Sequence, residues 1–228
     1  MYDAILVNGD SYSAGNFFPV WPEHLGKILG KQVYNIAYPG SSNKRILRST
    51  IEYTLKLQQK NIKPLVIIGW SFIRRQEVWY YGESKTINHM FPEQHSKLVT
   101  LDVLLENNLA TYQQKALLMD PKEIHKALVD FWTDVWLLTQ ALDNFQTPHW
   151  FFSAADNTDC PVNCFPYIDN LLLTQDIINN PRVYKINEFC IPLWGRINDK
   201  KVGVTGHLSA DGHREFAKFI AEQIKNIC

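Results

Sequence analysis

The sequence predicts an α/β fold built on a parallel sheet with helices on both faces. Three observations carry that prediction. Short unbroken apolar runs recur along the chain, the pattern of strands covered on both sides. Segments with apolar residues at helical spacing lie between them. The early runs end in Gly, Asn, Ser or Pro, the residues that turn a chain out of a sheet.

Taken in order, Ala4 to Val7 (AILV) reads as the first strand and stops at Asn8-Gly9-Asp10. Val33 to Ala37 (VYNIA) is the second and closes on Pro39-Gly40. Leu65 to Ile68 (LVII) is the third, opened by Pro64 and closed by Gly69. Trp150 to Ser153 follows Pro148 as the fourth, and Val183 to Ile186 follows Pro181 as the fifth. Helical spacing runs over Trp21 to Leu29 and over Lys44 to Gln59, where Ile46, Leu47, Ile51 and Leu55 recur. It runs again over Ala127 to Phe145, through Leu128, Phe131, Val135, Leu138 and Leu142. The last helix, Ala210 to Ile227, carries Phe216, Phe219, Ile220 and Ile224 on one face. Strands alternating with helices need crossover connections, and so pair in parallel. One stretch, from about Tyr80 to Leu128, breaks the alternation and is too long for a single crossover. Leu98 to Leu105 and Ala110 to Met119 have helical spacing, so the expectation is one domain over residues 1–228 with a helical cap inserted at about 80–128.

Composition bounds the partners. A chain of 228 residues suits one domain and buries roughly 70% of its unfolded surface. The 23 Lys and Arg balance the 23 Asp and Glu, so no basic excess points to nucleic acid. No apolar run reaches the ~20 residues of a membrane span. The N-terminus shows no leader pattern, which makes the cytoplasm the expected location, and a phage or virion product would read the same way. Cys160, Cys164, Cys190 and Cys228 have neither zinc-site nor disulfide-framework spacing and read as reduced thiols. His89, His95 and His125 match no ligand motif either. No metal and no cofactor are expected.

Open parallel sheets bind ligands beyond the carboxyl ends of their strands. Those ends carry Gly9-Asp10-Ser11, Gly40-Ser41-Ser42-Asn43 and Gly69-Trp70-Ser71, and His207 precedes the last helix. A serine, a histidine, backbone amides and polar side chains on one edge are the parts needed for acyl transfer. Ser11 also has a plainer reading as a helix cap, and Ser209 or Asp211 caps the last helix. His213 competes with His207 as a base, but it falls inside the helix. Trp70, Arg74, Arg75 and Trp79 follow the third strand; they either grip a substrate or seat the cap, as do Trp194 and Arg196.

Four segments resemble the conserved blocks of the GDSL or SGNH hydrolases, the esterase and lipase superfamily. "GDSYSAG" resembles the first block, "AYPGSSN" the second, "VIIGWS" stands where the third is expected, and "GHLSADGHREFA" resembles the last. The resemblance implies a flavodoxin-like, three-layer α/β/α fold with five parallel strands in the order 2-1-3-4-5. It implies Ser11 as nucleophile, His207 as base, and an oxyanion hole from the amides of Ser11 and Gly40 with Asn43 or Ser71. Asp10 braces the turn and, with Trp70 and Arg74, is assigned to the substrate side. The implied substrate is a carboxylic ester of a small molecule or a carbohydrate, O-acetyl groups among them. Two positions depart from the blocks. Ser71 stands where the third block has asparagine, and Val204 stands where an aspartate precedes the histidine. His207 is then expected to be oriented by a backbone carbonyl or by Asp199 or Glu188. The departures leave a second reading, a binding or virion protein that keeps the fold and has lost the chemistry. An O-acyltransferase using the same serine is a third.

Overall fold

The computed structural model describes residues 2–15, 19–73, 75, 77–79, 98–100, 121–155, 157, 172–186, 188–199 and 207–225. Within them, six strands are β1 (Ala4–Asn8), β2 (Gln32–Asn35), β3 (Pro64–Trp70), β4 (Glu77–Trp79), β5 (Leu98–Thr100) and β6 (His149–Ser153). The helices are α1 (Ser11–Ala14), α2 (Trp21–Leu29), α3 (Asn43–Gln59), α4 (Pro121–Asn144), α5 (Leu172–Ile178), α6 (Ile191–Ile197) and α7 (Ala210–Ile224).

The main sheet has four strands in the order β2-β1-β3-β6, all parallel. Every residue of β1, β3 and β6 is buried, as their unbroken apolar runs require. Alternate side chains feed two cores. Ile5, Val7, Leu65, Ile67, Trp150 and Phe152 pack under α2, α6 and α7. Leu6, Val66, Ile68, Trp70 and Phe151 pack under α3, α4 and α5. The period of two in each strand thus becomes a helix layer on each face. Among the described residues, no helix is long and apolar enough to cross a membrane.

Two expectations are corrected. Among the described residues, the main sheet has four strands rather than five, so the order 2-1-3-4-5 holds only for its first four. Val183 makes an isolated parallel bridge to Phe151, with Phe151 N donating to Arg182 O at 2.8 Å and Tyr184 N to Phe151 O at 2.7 Å. The run cannot lengthen because turns bracket it. Val183 N is already bonded to Asn180 O, Lys185 adopts φ 38°, and the amides of Glu188 and Phe189 both return to Lys185 O. The insertion is not simply helical either. Leu98–Thr100, expected in a helix, pairs antiparallel with Glu77–Trp79 as a separate two-stranded sheet. Glu77 is tied to α3 by a two-pronged ion pair with Arg48, at 2.7 and 3.1 Å. Residues 80–97 and 101–120, and with them the helix expected over Ala110 to Met119, lie outside the described residues. The helix after the insertion begins at Pro121, earlier than the apolar spacing indicates; proline needs no donor at a helix start.

Candidate active site

The chain leaves β1 toward β2 on one side and then crosses to β3 on the other, so β1 and β3 flank the point where strand order reverses. Side chains that follow these two strands meet there. The first turn is held from beneath by Asn8. Its buried amide donates to Ile46 O at 3.1 Å, Ser49 Oγ at 2.8 Å and Thr50 Oγ1 at 2.9 Å, and its carbonyl accepts from Gly9 N at 2.8 Å. Gly9 is required by close approach: a Cβ there would lie 2.9 Å from the Gly69 carbonyl oxygen, which is backbone and cannot yield.

Asp10, and not Ser11, caps the short helix α1. Its Oδ1 accepts from Tyr12 N at 3.1 Å. Its Oδ2 accepts from Ser71 Oγ at 2.7 Å and from Arg75 Nη1 at 2.9 Å, and Arg75 Nη1 also donates to Ser71 Oγ at 2.8 Å. The carboxylate is fully buried while Arg75 is 14% exposed. This triangle locks the turn after β1 to the turn after β3. The guanidinium offsets the charge that burial would otherwise make costly.

With the cap taken by Asp10, Ser11 is released from that role. Its Oγ lies 2.9 Å from His207 Nε2, across 196 residues of sequence. The imidazole stacks on Tyr12, with ring centroids 4.5 Å apart and planes 12° from parallel. His207 leads into α7, whose cap is Ser209, accepting from Gly212 N at 3.2 Å. Val204 lies outside the described residues, while Glu188 and Asp199 belong to the turns on either side of α6.

Around the serine, Gly40 sits in the tight turn after β2 with φ 75°, a conformation that suits glycine. Asn43 opens α3 and brackets Ser71. It accepts from Ser71 N at 2.9 Å, and its amide points to the Ser71 and Phe72 carbonyls at 3.4 Å. Ser71 gives its proton to Asp10. The structure thus brings Ser11 and His207 together and joins Asp10, Ser71 and Asn43 into the frame behind them. It does not leave Asp10 or Trp70 on the substrate side, which is a correction. Both are fully buried. Trp70 is wedged edge-on between Phe131 at 5.9 Å and Phe151 at 5.8 Å in the core under α4. Arg74 lies outside the described residues.

His213 is placed differently from His207. It is 3% exposed, and its Nδ1 accepts from Trp21 N at 3.3 Å, which caps α2 from a neighbouring helix. Burial pushes its imidazole down to about 4, and repulsion from His207 and His24 adds to this. A ring held neutral and turned to a helix start is structural. Sequence spacing gave no sign of that cap. Nor did it show the role of Asn8, although a polar residue closing an apolar strand was the signal to follow.

Beside Asn43 and Arg75 opens a cleft of about 320 Å³, walled also by Lys44, Arg48, Glu77, Lys126, Asp130 and Asp134. Its charges are largely paired: Lys44 Nζ lies 2.8 Å from Asp134 and Arg48 holds Glu77. Burial pushes the Asp134 carboxyl above its usual range, with the Lys44 ammonium pulling the other way. Among the described residues, no three of His, Cys, Asp and Glu are grouped as metal ligands.

Residues 13–192 match the model of a family of unknown function, DUF6071. The chain belongs to this DUF6071 family. No curated protein matches the chain. The matched span begins two residues after Ser11 and ends before His207, so the family assignment and the Ser11–His207 contact are independent observations.

Proposed function

We propose that this DUF6071 chain is a serine hydrolase of the SGNH type acting on carboxylic esters, with Ser11 as nucleophile and His207 as general base. One observation carries the reading: the 2.9 Å contact between Ser11 Oγ and His207 Nε2, at the carboxyl edge of a parallel sheet. In the reaction, His207 Nε2 takes the Oγ proton as Oγ attacks the ester carbonyl. The alkoxide leaves with that proton, and water then cleaves the acyl-serine by the reverse route. The amides of Ser11 and Gly40 are assigned to the developing oxyanion; the Asn43 side chain, engaged with the Ser71 backbone, supports them from behind. An O-acyltransferase would share every step up to the acyl-serine. The parallel bridge of Val183 to Phe151, beside β6, supports the SGNH-type reading, because a fifth strand of that superfamily's sheet would lie at that margin.

A fluorophosphonate probe tests the reading. It is expected to label Ser11 in the wild type, and Ser11→Ala is expected to abolish labelling with the melting temperature nearly unchanged. Labelling that persists in Ser11→Ala rejects Ser11 as nucleophile. A wild type that does not label favours the second reading, a binding protein on the same frame. One observation supports that alternative: Ser71, in the place of the third-block asparagine, spends its proton on Asp10 and leaves the oxyanion one donor short.

A further inference from the structure

Tyr12 directly follows the candidate nucleophile, and its side chain turns inward, 4% exposed. Asp10 fixes its backbone amide at 3.1 Å, so the carboxylate that builds the turn also sets the direction of this ring. The phenol lies nearly flat against His207, at 4.5 Å and 12°. It also meets Phe72 at 6.4 Å, and Phe72 carries the Arg75 guanidinium 4.8 Å from its centroid. Arg75 is the cation that holds Asp10. The frame of the turn and the support of the histidine are therefore one packed unit.

Two neutral aromatic rings prefer offset or edge-to-face packing. A cation over a ring face is attracted by the ring's negative face. A near-parallel stack with centroids 4.5 Å apart is an offset arrangement open to the neutral ring, and the same face-on contact attracts the imidazole further once it is charged. In the reaction proposed above, the charged ring forms once in each half of the cycle, and in acylation it lies between two events. Nε2 takes the proton from Oγ as the Oγ–C bond forms and the carbonyl π pair moves to oxygen. Nε2 then returns the proton to the departing alkoxide as the C–O bond breaks.

We propose that Tyr12 is a positioning residue for His207: its ring fixes the plane of the imidazole so that Nε2 faces Ser11 Oγ, and its π face favours the imidazolium formed during acyl transfer. The stack resists tilting of the ring out of its plane, and the 2.9 Å contact resists rotation within it. The two restraints are complementary. The inference rests on the serine-hydrolase reading and names a residue which that reading does not need.

The test compares wild type, Tyr12→Phe and Tyr12→Met. Measured are the rate of fluorophosphonate labelling and the kcat and KM for p-nitrophenyl acetate, each on protein that melts cooperatively. Tyr12→Leu replaces the Met variant if the latter does not fold. Tyr12→Phe keeps the ring and is expected within threefold of wild type in both rates. Tyr12→Met fills the space without a ring; its labelling rate and kcat are expected to fall about tenfold with KM within twofold. A Met variant as fast as wild type overturns the inference and leaves Ser11 and His207 standing. So does a Phe variant as slow as the Met variant, which would assign the effect to the hydroxyl. A rise in KM with kcat unchanged also overturns it, because Tyr12 would then be touching substrate. A wild type that never labels rejects the hydrolase reading itself, a result the variants cannot imitate, and the inference falls with it.

Discussion

At Ser71 a single hydroxyl proton decides what the residue can do. It donates to Asp10 at 2.7 Å while the oxygen accepts from Arg75 at 2.8 Å, so the side chain is engaged inside the frame. Removing an oxyanion donor from an enzyme costs roughly 10²–10³ in turnover. Ser71→Ala is expected to slow labelling of Ser11 by less than tenfold. It is also expected to lower stability by about 1–3 kcal/mol, since buried Asp10 loses a donor. Labelling kinetics and a thermal melt read the two effects separately; a hundredfold slowing would return Ser71 to the oxyanion hole. Ser11 and His207 were legible in the sequence because each stands at a break in pattern, one where an apolar run stops and one where a helix begins. The pairing of Asp10 with Arg75 was not legible. It depends on where two turns meet in space, and nothing in the spacing of those residues encodes that.

Helix α2 shows how elements depend on one another. Val20, at its cap position, offers no side-chain acceptor, and the Trp21 amide is taken up by His213 from α7. A protonated imidazole could not accept that bond. The unfolded chain binds a proton near the ordinary histidine value of 6.5, whereas the folded chain holds His213 neutral down to about 4. The unfolded state therefore carries the extra proton between those values. The stability is complete above pH 6.5 and declines by about 3 kcal/mol as pH falls toward 4. His149, pushed down chiefly by burial, adds to the loss with the same sign. In His213→Gln the amide oxygen can accept from Trp21 without titrating. Urea midpoints at pH 7.5 and pH 4.5 are expected to differ less in this variant than in the wild type, and equal differences would remove His213 from the account. The helices themselves were legible where an apolar stripe is long, as in α3, α4 and α7. The short α1, α5 and α6 were not, because four to seven residues hold too few turns to show a period.

At the scale of the molecule, the most enclosed strands among the described residues are those in the middle of the sheet. β1 and β3 are bonded on both sides and buried on both faces, whereas Tyr184 hangs on one bridge at the margin. Hydrogen exchange is expected to be slowest at the amides of Ile5 to Val7 and Val66 to Ile68, and much faster at Tyr184. Equal protection at Tyr184 would mean that the fifth strand is firmer than one bridge implies. The sequence located that apolar run but not its failure to extend, because the left-handed Lys185 that ends it carries no glycine to announce it. The contact between Ser11 and His207 has a further consequence in time. A ribosome adding about 5–20 residues per second needs roughly 10–40 s to pass from one to the other. Throughout that interval the serine is already made and its partner is not. On the hydrolase reading proposed above, the nascent chain carries a nucleophile without its base, and any product cut short before His207 never gains it.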